Sequence, residues 1–166
     1  MNVLANDGVS KNCVLKLEEN GFRVMLDKVE QEELADYINA ESIEVLLVRS
    51  ATKVRKELID NCPNLKFVGR GGVGMDNIDV EYANSKGVQV TNTPAASSIS
   101  VAEIVFAHLF SAARSLFKSN RSMPLEGDSK FKQLKKEFSK GIELRGKTIG
   151  IIGFGRICLL YTSDAA

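Results

Sequence analysis

Tryptophan is absent from this chain, histidine occurs once, and three prolines and three cysteines are spread over 166 residues. One histidine, His108, gives no second imidazole for a metal cluster, and its place inside an apolar stretch suits packing better than catalysis. Cys13, Cys62 and Cys158 are odd in number and far apart, which argues against a disulfide framework or a zinc site and leaves them as structural thiols. No apolar run approaches the roughly 20 residues of a membrane span. The start, Met1 to Asp7, lacks the basic residues and long apolar core of a secretory signal, so the sequence predicts a cytoplasmic protein with no membrane partner. Charge of one sign is also lacking. Twenty-two basic against 21 acidic residues leave +1, and bulk attraction to nucleic acid is excluded as a binding mode. Any anion site must arise from local placement.

What is present is an alternation. Short apolar runs at Val3 to Ala5, Phe22 to Leu26, Val45 to Val48, Phe67 to Gly69 and Val88 to Thr91 read as five strands. Between them, Cys13 to Leu17, Glu32 to Ile38 and Val54 to Ile59 repeat apolar residues at spacings of three and four, the signature of helices. Strands alternating with helices imply βαβ crossovers and an α/β fold with a parallel sheet. Five strands with four crossovers suit a flavodoxin-like open sheet, whose ligands bind outside the carboxyl ends of the strands. From Ile99 to Phe117 the pattern changes to one long helix, apolar on nearly every side, which predicts extensive burial; Ser100 and Glu103 have capping-box spacing at its start. Lys118 to Lys140 is polar and interrupted by Pro124 and Gly127, with a short helix predicted from Asp128 to Phe138. Lys147 to Ile152 reads as a sixth strand.

Three stretches carry chemistry. In 69-GRGGVGMDNID-79, Gly71, Gly72 and Gly74 permit a compact loop whose amides converge on an anion, and Arg70 adds a fork-shaped cation suited to a carboxylate or phosphate. Asp76 and Asp79 read as turn and helix-cap residues. In 49-RSATKV-54, Arg49, Ser50 and Lys53 follow the third strand and share a sheet edge with Arg70; bases at a helix start oppose its dipole unless an anion answers them. In 153-GFGRI-157, directly after the sixth predicted strand, Gly153 and Gly155 provide the tight turn and close approach that a dinucleotide pyrophosphate needs. The third glycine of that motif falls at Cys158, and the residues after it are too few to form the helix whose N-terminus would hold the phosphates.

Together, 49-RSATKV-54, 69-GRGGVGMDNID-79, 92-NTP-94, 100-SVAE-103 and 146-GKTIGIIGFGRI-157 resemble the D-isomer-specific 2-hydroxyacid dehydrogenases. The resemblance implies a flavodoxin-like substrate domain over 1–98, an interdomain helix over 99–118, and the truncated start of a Rossmann NAD-binding domain over 119–166, with 158–166 foreign to the family. It implies substrate contacts at Arg49, Ser50, Lys53 and Arg70 and through the amides of Val73 and Gly74. It implies NAD contacts at Val73, Gly153, Gly155, Arg156 and Ile157, a small anionic 2-hydroxy or 2-keto acid as partner, and a homo-oligomeric parent protein. The family's arginine, histidine and glutamate of catalysis lie beyond Ile157 in the family pattern, so no catalytic residue is assigned and the chain alone is expected to be inactive. The basic residues favour a phosphate-bearing substrate. Reduction of glyoxylate or hydroxypyruvate, and a non-enzymatic ligand-binding or co-regulator module, are the alternatives.

Overall fold

The structure, a computed structural model, describes residues 1–162. It divides into two compact units, Met1–Ala96 and Ser97–Ala166, each taken by itself below.

The first unit is a five-stranded, wholly parallel sheet in the order β2-β1-β3-β4-β5. Its strands are β1 (Asn2–Ala5), β2 (Arg23–Met25), β3 (Ile43–Val48), β4 (Phe67–Arg70) and β5 (Gln89–Asn92). The helices α1 (Lys11–Glu19), α2 (Leu34–Ala40), α3 (Lys56–Asn61) and α4 (Val80–Ser85) supply the crossovers. This is the flavodoxin-like α/β architecture the sequence predicts.

The chain steps outward from β1 to β2 and then back across β1 to β3, β4 and β5. Right-handed crossovers therefore send α1 to one face of the sheet and α2, α3 and α4 to the other. The core lies on the second face: Leu4, Leu46, Val48 and Val68 from the strands meet Leu34 and Ile38 of α2, Leu58 and Ile59 of α3, and Ala83 of α4. Helix α1 buries no residue fully. Burial of the central strands explains why they read as unbroken apolar runs rather than alternating ones.

Two predicted helices start late: Glu32 and Glu33 form a turn ahead of α2, and Val54 and Arg55 precede α3. Val54 forms an isolated parallel bridge with Ile78, and α3 begins only at Lys56. Asp79 stands at the start of α4 but makes no side-chain cap there; its carboxylate instead accepts the Lys56 amide at 3.0 Å and the Arg55 guanidinium at 3.0 Å, closing the start of α3. Those bonds, the Arg55 guanidinium first, hold the Asp79 carboxyl below its usual range.

The second unit is helical: α5 (Ser98–Ala113), α6 (Leu116–Phe138) and α7 (Arg156–Thr162). Five sequence expectations are corrected here. The long helix is not continuous to Phe117; it stops at Ala113, and Ser115 takes a left-handed φ of 53° before α6 starts. The capping box at Ser100 is unused, since the helix begins two residues earlier behind Ser97. The extensive burial expected of α5 is not observed either, because only Ser98 and Ala102 are buried while Ile99, Ile104 and Phe110 are more than half exposed. Pro124 and Gly127 do not break the polar segment, which is helical as far as Phe138 and departs from helical geometry at Lys130 instead.

The fifth correction concerns the end of the chain. Lys147 to Ile152 forms no strand. A strand needs a neighbour for its amides and carbonyls, and no other strand lies in the described part of this unit. Ile152 and Phe154 are accordingly almost wholly exposed. A helix nevertheless does follow the glycine turn: α7 packs against α5, with Tyr161 edge-on to Phe106 at a centroid distance of 5.6 Å. Residues 163–166, the end of the segment expected to be foreign, lie outside the described residues. No single helix among the described residues is long and apolar enough to cross a membrane.

Candidate functional site

The strand order reverses between β1 and β3, so the loops that leave their carboxyl ends diverge to opposite faces and open a crevice. A cleft of about 700 Å³ lies there, lined by Asp7, Gly8, Val9 and Ser10 after β1, Arg49 after β3, Arg70 and Gly71 at the end of β4, and Thr91 and Thr93 around the end of β5. Strand register places its two cations together. Val48 pairs with Arg70, the Gly71 amide donates to the Val48 carbonyl at 2.8 Å, and Arg49 Cγ lies 3.4 Å from where a Cβ on Gly71 would stand. Arg49 and the glycine bend are therefore at one edge of the sheet, side by side.

The guanidinium of Arg70 folds back over the glycine loop. A Cβ on Gly72 would fall 2.2 Å from its Nη1, so only glycine leaves the arginine this position. Arg70 Nε is buried without a hydrogen-bond partner, and no carboxylate pairs with Arg70, Arg49 or Lys53 among the described residues. Cations with no acid among the described residues to neutralise them make an environment for a small anion, although the Gly71 and Gly72 amides, expected to face it, are given to the Val48 and Arg70 carbonyls.

The sequence-derived residues do not all line the cleft. Arg49 and Arg70 do. Ser50 and Lys53 are exposed on the loop that carries Arg49, and Val73 and Gly74 are exposed on the loop that carries Arg70 and Gly71. The Val73 carbonyl accepts from Asn92, which ties the glycine loop to β5. In the second unit, Gly153 adopts φ 116°, nothing lies within 4 Å of a Cβ on Gly155, and Arg156 and Ile157 open α7. That turn suits the close approach of a pyrophosphate, although the strand before it is missing. No group of three or more His, Cys, Asp or Glu that could hold a metal occurs among the described residues, and His108 is exposed on α5.

Sequence reasoning missed the polar groups that shape the site. The Asp7 carboxylate accepts the Arg49 amide at 2.6 Å, the Thr52 amide at 3.1 Å and the Thr52 hydroxyl at 2.7 Å. Burial works to raise the Asp7 carboxyl, but the Arg49 amide and the Thr52 hydroxyl and amide outweigh it and leave it below its ordinary range. Asn77, 5% exposed, donates to the Arg49 carbonyl at 2.8 Å and the Thr52 carbonyl at 2.7 Å. Asn6 donates to Thr52 Oγ1 at 2.9 Å, and Gln31 bonds both the amide and the carbonyl of Lys53. The signal was available for the first of these: two polar residues, Asn6 and Asp7, directly follow a fully buried strand at the edge where ligands bind.

Known proteins resemble this chain in sequence and fold. The family described as D-isomer specific 2-hydroxyacid dehydrogenase, catalytic domain, matches residues 3–165, a span that takes in most of the tail set apart by the sequence reading. The D-3-phosphoglycerate dehydrogenase of Methanocaldococcus jannaschii is 44% identical over 156 residues, which is 93% of this chain and 28% of that protein. The hydroxypyruvate reductase of Thermotoga maritima is 41% identical over 93% of this chain and 48% of its own length. Among solved structures, the NAD-dependent formate dehydrogenase of Staphylococcus aureus in complex with NAD superposes with a TM-score of 0.72 at 26% identity, over 96% of this chain and 51% of that one. The chain thus spans about half of these relatives' length or less.

Proposed function

The chain belongs to the D-isomer specific 2-hydroxyacid dehydrogenase family, and from that membership we propose that it forms the substrate-recognition part of an NAD-dependent dehydrogenase that oxidises D-3-phosphoglycerate to 3-phosphohydroxypyruvate. The observation that carries this reading is the set of cations Arg49, Lys53 and Arg70, none paired with an acid among the described residues, at one sheet edge beside the Gly71–Gly74 loop. In this reading the Val73 and Gly74 amides and Arg70 hold the substrate carboxylate, while Arg49, Ser50 and Lys53 meet its phosphate end. A lone carboxylate needs one such group; a carboxylate and a phosphate in one small molecule need several, which favours phosphoglycerate over simpler hydroxy acids.

NAD is the proposed cofactor, and when bound it would supply hydride acceptance at its nicotinamide. The residues of this chain that would hold it are Gly153, Gly155, Arg156 and Ile157 at the pyrophosphate and Val73 near the nicotinamide. The chain's own part in the chemistry is to bind and orient the acid: fixed donors at both ends of a three-carbon substrate leave little freedom at the carbon between them. The chain by itself is expected to bind without turning over. A homo-oligomeric parent belongs to the same proposal, since α5 and the start of α6 present Ile99, Ile104, Phe110, Leu116 and Phe117 to solvent.

The test is a titration of the chain with D-3-phosphoglycerate followed by backbone amide shifts. Shifts concentrated at Gly71–Gly74 and Arg49–Lys53 are expected. Their absence at millimolar ligand would sink the reading. Hydroxypyruvate is the second ligand to offer, because the Thermotoga maritima relative is a hydroxypyruvate reductase; stronger shifts with it than with phosphoglycerate would move the assignment to that activity.

A further inference from the structure

Asp7 is an acid in the wall of a cleft whose other ionisable lining residues are Arg49 and Arg70, together with the thiol of Cys13. A carboxylate there would repel the anion the cleft is built for unless its charge were already engaged. It is engaged: both oxygens are taken by the 49–52 loop, one by the Arg49 and Thr52 amides and the other by the Thr52 hydroxyl. The same loop is held from its other side. Asn77 spans it by donating to the carbonyls at both of its ends, Arg49 and Thr52. The Asn77 carbonyl meanwhile accepts the Val54 amide at 2.8 Å, and its neighbour Ile78 pairs with Val54.

These contacts have a shared feature. All but the Thr52 hydroxyl bond fix main-chain atoms of residues 49 to 54, and none uses the Arg49, Ser50 or Lys53 side chains. The cationic and hydroxyl groups are left free while the backbone that aims them is fastened. Asn77 also sits in the segment that contains Gly71, Gly72 and Gly74, so its two bonds tie the glycine loop to the arginine loop as one piece.

We propose that Asp7 and Asn77 are positioning residues: without touching the ligand, they hold the Arg49–Lys53 loop and the Gly71–Gly74 loop in the mutual arrangement that a small acid with two anionic groups requires. Removing either leaves the sheet intact but lets the two loops move independently. Affinity then falls because the ligand must order what the protein had already ordered. This inference rests on the substrate reading above.

The experiment uses this chain with D-3-phosphoglycerate as probe and compares wild type with Asp7→Asn, Asn77→Ala and Thr52→Val. Thr52→Val removes the hydroxyl that Asp7 accepts while keeping nearly the same volume, so it reads the same contact if Asp7→Asn unfolds. Two quantities are measured: the dissociation constant, and hydrogen-exchange protection of the Arg49 and Thr52 amides, with amides of β1 and β4 as the internal control for fold. The expected result is at least tenfold weaker binding by Asp7→Asn and Asn77→Ala and a smaller loss in Thr52→Val. Protection should be lost at residues 49 and 52 in Asp7→Asn and retained in the strands. Wild-type affinity in a variant whose residue 49 and 52 amides exchange freely overturns the inference, as does weakened binding that accompanies loss of protection across the sheet. Failure of wild type to bind the probe while protection behaves as expected overturns the substrate reading instead.

Discussion

Replacing Gly72 with alanine separates two things that this residue does. Its φ of +157° lies at the edge of the region that L residues seldom enter, and its missing side chain leaves room for the Arg70 guanidinium. An added Cβ would stand 2.2 Å from Arg70 Nη1 and 3.0 Å from Cζ, where ordinary contact begins at 3.4 Å, so the guanidinium must retreat by more than an ångström. It is the far end of a flexible side chain and can leave, so the fold survives. The backbone strain is expected to destabilise the chain by about 1–3 kcal/mol. Losing one charge-assisted pairing with the ligand removes about 1.5–3 kcal/mol of binding, or roughly 10- to 100-fold in affinity at 1.4 kcal/mol per decade. Gly87→Ala is the control, because Gly87 has φ +80° and nothing within 4 Å of the added carbon. It should lose about 1–2 kcal/mol of stability through left-handed strain alone and bind normally. Urea unfolding and a D-3-phosphoglycerate titration on both variants read the two effects. If Gly72→Ala binds like wild type while matching Gly87→Ala in stability, the placement of Arg70 over the loop has no part in recognition.

Other outcomes follow from single features. The Asp7 carboxyl titrates below its ordinary 3.8, and a depressed acid stabilises the folded state above its unfolded pKa and loses that contribution as pH falls through the folded one; exchange protection of the Arg49 amide should therefore persist at pH 5 and disappear only below pH 3.8, and a midpoint above that value would contradict the bonding described. Cys62 is 1% exposed and its thiol is pushed up to about 11, by burial first and the Asp36 charge second; iodoacetamide at pH 8 should alkylate Cys13 while sparing Cys62 until urea is added, as read by peptide mass spectrometry. Leu46 is completely buried at the centre of the sheet, and Leu46→Ala should lower unfolding free energy by about 2–5 kcal/mol, measured by chemical denaturation. The exposed apolar residues of α5 and α6 should drive concentration-dependent association, visible in light scattering and relieved by Phe117→Glu; a strictly monomeric wild-type chain at all concentrations would show the patch to be inert.

The sheet was legible because its signal is collective. Five apolar runs at near-regular intervals, with helical spacing between them, leave few arrangements once crossovers must be right-handed. The position of the cations was legible for the same reason, since parallel strands align their carboxyl ends and Arg49 and Arg70 follow neighbouring strands. What escaped was whatever depended on a distant partner. Lys147 to Ile152 has strand composition, but no composition supplies a neighbouring strand. Val54 fits a helical period yet pairs with Ile78 because Asn77 and Asp79 bring that segment alongside. Asp79 was recognised as a capping residue and assigned to the nearer helix, while it serves the one that begins 23 residues earlier. Asp7 could be placed at the ligand edge from the strand before it, but its partners could not, because they lie on a loop 42 to 45 residues away.

That grip has a consequence for the order in which the chain folds. The segment from Arg49 to Lys56 is fastened by side chains 22 to 45 residues away in sequence: Asp7, Gln31, Asn77 and Asp79. None of these anchors is local, so the segment cannot take shape until polypeptide on both sides of it has already come together, and closing such long intervals is the slow part of assembly. Pulse-labelling during refolding should find the Arg49 and Lys56 amides among the last to become protected, after those of β1 and β3; early protection there would mean that the segment seeds the structure rather than waits for it.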